Sequence, residues 1–174
     1  MIVVAIIGVL AALAIYGVRK YLTNAKSAEA RTSIGRMAKD AQTAYERESM
    51  VTDVMDLKSS VEIAHEICPQ GVPVPDDITK VSNKKYQSDP GEWNGIGWSC
   101  LKFSMSDPQY FMYEYAVLQS GGGEGAEFEA RAHGDLDGDT NQSTFSIGGK
   151  VQKGSGGELV LTLAPTIFED RPEE

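Results

Sequence analysis

The first eighteen residues, Met1 to Val18, read MIVVAIIGVLAALAIYGV and contain no charge; Arg19 and Lys20 come directly after them. As a helix this run spans about 27 Å, close to the thickness of a bilayer's hydrocarbon core. A signal peptide carries basic residues before its apolar run and a small-residue cleavage site after it. In this sequence the basic residues come after. A core helix of a soluble domain seldom stays apolar all round for five turns. The run therefore predicts a membrane-spanning or helix-bundling segment, with Ile2, Val3, Ile6, Ile7, Val9, Leu10, Leu13 and Ile15 as its large contact residues. Ala5, Gly8, Ala11, Ala12 and Ala14 lie among them and permit close helix approach.

The helical pattern does not stop at the first charge. Ala30, Ile34, Met37, Ala41 and Tyr45 recur at spacings of three and four, one face of an amphipathic helix. No proline precedes Pro69. One continuous helix of about 45–50 residues is expected, roughly 70 Å long. Its first part, 1–24, protrudes as anchor or filament core; a globular domain, 25–174, covers the apolar face of the remainder.

Within that domain, Val54, Leu57, Val61, Ala64 and Ile67 keep helical spacing and predict a second helix ending at Cys68-Pro69. PQGVPVPDD then marks turns. This connecting region, 50–101, gives way to a sheet over 102–174. Phe111, Tyr113, Tyr115 and Val117 alternate with Met112, Glu114 and Ala116; Phe128, Ala130 and Ala132 share a face; STFSI and ELVLTL supply two more strands. The Tyr110, Phe111, Tyr113 and Tyr115 group reads as sheet core with one exposed edge. The expected class is α+β, with about four antiparallel strands joined by GGGEG and GSGG loops and laid on the long helix.

Over its 174 residues the chain has a net charge of −9, which argues against nucleic-acid binding. Residues 1–48 carry seven basic and four acidic side chains, and the rest nine and twenty-one. The basic residues after the apolar run favour a cytoplasmic placement of the chain beyond it. The two cysteines, Cys68 and Cys100, point the other way, since a disulfide requires an oxidising compartment.

MIVVAIIGVLAALAI, continued by YLTNAKSAEARTSI, closely resembles the N-terminal helix of type IV pilins. The resemblance covers 1–48 and extends more loosely over the helix, connecting loop, sheet and cysteine pair; the pseudopilins of type II secretion share the N-terminal motif. It implies the pilin fold and a structural, non-enzymatic subunit. It further implies a precursor with a short basic leader, cleavage by a prepilin peptidase and methylation of the new terminus. The subunit would be stored in the inner membrane with its domain in the periplasm. Assembly machinery would then extract it into a helical homo-oligomer, an extracellular pilus for adhesion and twitching or gliding motility. Surface or polysaccharide ligands would be partners of such a fibre. A periplasmic domain reconciles the cysteines with the basic cluster. Two differences stand out. The family's mature chain commonly opens Phe-Thr-Leu-Ile-Glu-Leu ahead of the Met matching Met1, and it commonly has a helix-kinking proline where this chain has Tyr16. Alternatives are a secretion pseudopilin with a calcium loop and a membrane-anchored periplasmic hydrolase or metal-binding domain.

The chemical motif of interest is DLDGDTN. Asp135, Asp137, Asp139 and Asn141 alternate in a glycine-flanked loop and could gather oxygen ligands for calcium. An EF-hand needs Gly at its sixth position and Glu at its twelfth, where Thr140 and Ser146 stand. The start of the motif is similar to the DxDGT of haloacid-dehalogenase-type phosphatases, but EARAHG before it is no buried strand and Asp139 intrudes. Without a cation the loop is a solvated acidic hairpin. His65 and His133 are the only histidines, and GxSxG and phosphate-binding glycine loops are absent from the sequence. No catalytic residue or other cofactor is expected.

Overall fold

The computed structural model describes residues 2–47, 49–50 and 63–174. A single helix, α1 (Ile2–Glu46), runs unbroken for 45 residues, or about 68 Å. Nothing in its sequence stops it earlier, because glycine costs a helix only about 1 kcal/mol and proline is missing. Its buried residues are Ser27, Ala30, Ile34, Met37, Ala38, Ala41, Ala44 and Tyr45, so the predicted stripe is the core face.

The rest of the fold is β1 (Ser49–Met50), β2 (Ile63–Ala64), β3 (Gly71–Val74), α2 (Ile96–Leu101), β4 (Met112–Gln119), β5 (Glu127–Gly134), β6 (Ser143–Lys153), β7 (Leu159–Leu163) and β8 (Phe168–Asp170). β1 and β2 pair with each other. The main sheet is antiparallel in the order β3-β4-β5-β6-β7, and β8 also pairs with β6. The class is α+β, a long helix packed on an antiparallel sheet.

The sheet has six strands where about four were expected. β3 contains Pro73 and reads as a turn, yet an edge strand tolerates proline because one row of its backbone groups needs no partner. β7 and β8 occupy one edge of β6, with Leu163 opposite Gly149 and Phe168 opposite Ser146. Pro165, which lacks an N–H, lies in the break between them. The second helix expected over 54–67 falls mostly outside the described residues. Its described end is not helical: β2 holds Ile63–Ala64, and the chain runs as coil to Pro69.

The core lies between α1 and the inner face of β4, β5 and β6. Tyr113, Tyr115, Phe128, Ala130, Ala132 and Phe145 are all fully buried there. Two sets of contacts fix the sheet along the helix. At one end Arg31 reaches Glu169 on β8 and its guanidinium lies 5.2 Å from the Phe145 ring centroid. At the other, Gln42 donates to the carbonyl of Leu161 and the Tyr45 hydroxyl donates to that of Gly122 (2.8 Å). The β5–β6 loop, which carries the acidic motif, is consequently at the end of the sheet nearer the exposed apolar helix.

Candidate assembly surface and acidic loop

Every side chain from Ile2 to Leu22 is exposed, including Ile2 at 78% and Leu13 at 63%. All eight large residues picked out of the apolar run belong to this surface. They form a sleeve around the full circumference of the helix rather than a cluster at one spot. Around Gly8 and Gly17 an added Cβ would meet nothing within 4 Å. Each large apolar side chain gains roughly 1.5–3 kcal/mol when it leaves water, so the sleeve strongly favours lipid or other helices as its surroundings. Its backbone groups are paired within the helix, which makes both environments acceptable.

The sleeve ends where the C-terminal segment meets the helix. Ser27 is the first buried residue, its hydroxyl donating toward the carbonyls of Thr23 (3.0 Å) and Pro172 (2.9 Å). Arg31 forks onto both carboxylate oxygens of Glu169 at 2.7 and 2.9 Å, and holds that carboxyl below its usual range. Lys20 pairs with Glu173 at 2.9 Å. These exposed pairs contribute at most about 1 kcal/mol each, but they align residues 169–173 with the helix. Glu29 accepts from the Tyr110 amide (2.9 Å) and the Tyr113 hydroxyl (3.1 Å), while burial raises its carboxyl above the ordinary value. The Tyr110 ring lies between Lys26 and Lys85, 4.9 and 4.7 Å from the two ammonium groups. Sequence reasoning missed Glu29, because its partners lie more than eighty residues away and no local spacing marks them.

At the acidic loop, one oxygen from each of Asp135, Asp137 and Asp139 lies within 4.8 Å of the others. The three differ in role. Asp135 is buried, and its carboxylate accepts from the Ser82 hydroxyl (2.7 Å) and from the amides of Gly138 (2.7 Å) and Thr140 (3.3 Å). Asp137 and Asp139 are exposed and accept from the amides of Asp139 and Asn141. The Asn141 side chain donates to Asp139 (2.7 Å), so its oxygen is the part that would serve a cation. Gly138 and Thr140 both take positive φ, 83° and 77°, which turns the chain back toward Asp135. Glu174 joins this neighbourhood: desolvation and the adjacent aspartates push its carboxyl upward. Ser82 and Glu174 were invisible to the motif. The donor set is all oxygen and suits a hard divalent cation. Asp135 also organises the loop through protein donors alone.

Cys68 and Cys100 form a disulfide with Cα atoms 5.7 Å apart, tying the segment before β3 to α2. His65 is exposed and donates from Nδ1 to the Tyr45 carbonyl (2.9 Å). His133 faces Glu114 and Thr144 on the outer side of the sheet, and burial lowers its pKa. Searches against family models, curated proteins and solved structures found no match to this chain.

Proposed function

We propose that this chain is a type IV pilin-like structural subunit that polymerises into an extracellular filament for attachment and surface motility. The observation that supports it is the division of α1: fully exposed and apolar from Ile2 to Val18, then buried against the sheet from Ser27. One element thus serves lipid or neighbouring helices at one end and the domain core at the other. A subunit offering the same surface to successive copies, without closing a ring, builds a filament. Before assembly the sleeve anchors the chain in the inner membrane with its domain on the oxidising, periplasmic side. The disulfide supports that placement.

The test is Val9→Asp. A charge among packed apolar helices, without a partner, costs several kcal/mol. Val9 is 62% exposed and touches no part of the domain core, so the domain should fold as before while fibres disappear. Normal fibres from this variant would refute the proposal. A second reading, a secretion pseudopilin with a calcium loop, draws on the acidic loop. It predicts that long surface fibres are absent from cells producing the native chain.

A further inference from the structure

A cleft of about 430 Å³ opens beside α2, between the 3₁₀ turn Pro90–Trp93 and the segment leading to β4. Its inner wall is apolar. Trp93, Trp98 and Phe103 pack edge to face or tilted, with centroids 5.0 to 5.7 Å apart. They fix the floor in place. The rim is polar and exposed, formed in part by Asn94, Lys102, Ser104 and Ser106.

Three observations about that rim go together. Lys102 takes φ 60°, the left-handed conformation at the C-cap of α2, where glycine is the usual residue. Left-handed strain in a non-glycine residue concentrates where a site requires it. Secondly, the Lys102 ammonium has no carboxylate partner among the described residues, whereas Lys20, Lys80, Lys150 and Lys153 each have one. In a chain of net charge −9, a cation left unpaired on a cleft rim is a selective attractor for anions. Thirdly, the Asn94 side-chain amide and the hydroxyls of Ser104 and Ser106 make no hydrogen bond among the described residues, so donors and acceptors remain open around the same cavity.

One positive charge, several neutral donors and acceptors, and an apolar floor suit a ligand with one carboxylate, several hydroxyls and an apolar ring face. We infer that this cleft binds an acidic sugar unit of a polysaccharide, with its carboxylate on Lys102 and its hydroxyls on Asn94, Ser104 and Ser106. A lipid tail does not fit the polar rim. A simple inorganic anion leaves most of the rim unused. The site does not depend on polymerisation, so its test is separate from that of the filament.

Trp93 and Trp98 are the only tryptophans in the chain, so intrinsic fluorescence reports on this cleft alone. The full chain in detergent micelles is titrated with trimannuronic acid, neutral mannotriose and sodium acetate. A saturable change is expected with the uronate, with binding of the neutral sugar and of acetate at least about tenfold weaker, as loss of a charge-assisted hydrogen bond requires. Lys102→Gln should bring the acidic and neutral sugars to equal affinity, and Asn94→Ala should weaken both. Absence of a saturable change, equal binding of the two trisaccharides, or acetate binding as well as the uronate overturns the inference. That comparison is made on the native chain and needs neither variant. Uronate affinity unchanged in a folded Lys102→Gln variant would overturn it too.

Discussion

Ile34 and Leu13 lie on the same helix, and truncating each to alanine should have opposite consequences. Ile34 is fully buried between α1 and the sheet. Removing its side chain beyond Cβ costs the transfer free energy of the lost carbons plus a cavity term, together about 3 kcal/mol within the usual range of 2–5. Its helix neighbours Ala30 and Ala38 are too small to fill the space. In a chain of this size each kcal/mol moves the midpoint by about 2–4 °C, so Ile34→Ala should melt about 6–12 °C lower. Leu13 is 63% exposed, and leucine and alanine have similar helix propensities. Leu13→Ala should leave the domain's melting unchanged within about 2 °C. Near-ultraviolet circular dichroism in detergent micelles follows the packed aromatic core and reads both. Equal losses in the two variants would refute the division of α1, since they would mean that the apolar third is part of the domain's own core.

Reduction of Cys68–Cys100 opens a loop spanning 32 positions and should cost about 3–4 kcal/mol in the chain-entropy account, read as a drop in the urea midpoint with and without reductant. Glu29 has a folded pKa above its unfolded value, so the native state holds the proton more tightly and stability falls as pH rises from about the ordinary carboxyl value of 4.5 through the raised native one. Glu29→Gln keeps an acceptor for Tyr110 and Tyr113 and should remove that fall, which urea titrations at pH 4 to 8 would show. If calcium occupies the acidic loop, excess chelator should lower the melting temperature of the native chain and Asp137→Ala should abolish the response. Identical melting curves with and without chelator would leave the loop to its protein donors.

The long helix was legible because two strong patterns coincide in it. Uniform apolarity marks Ile2 to Val18, and the spacing of Ala30, Ile34, Met37, Ala41 and Tyr45 marks the face that the sheet covers. The inner faces of β4 and β5 were legible for a similar reason: Tyr113 and Tyr115 alternate with half-buried residues, as do Phe128, Ala130 and Ala132. Short elements were not. α2 is six residues long, too short for periodicity, and its C-cap is Lys102 where a glycine would have signalled an end. β3 is hidden by Pro73, and β8 by its three-residue length. At the acidic loop the motif marked Asp135, Asp137 and Asp139 but gave them equal roles. Only the fold brings in Ser82, fifty-three residues away, and makes Asp135 the loop's internal acceptor.

Because α1 passes without interruption from the sleeve into the core, azimuth is transmitted along it. Val9 and Ile34 are separated by about seven turns and share one side of the cylinder to within about 20°. Whichever face of the sleeve a neighbouring helix selects, the direction in which the sheet, the cleft and the acidic loop point is then already decided. A single residue inserted between Thr23 and Ser27 would rotate the whole domain about 100° around the helix axis while leaving both ends chemically intact. The register of this short stretch, which touches little besides the C-terminal segment, therefore sets which surface of the domain faces outward and which faces its neighbours.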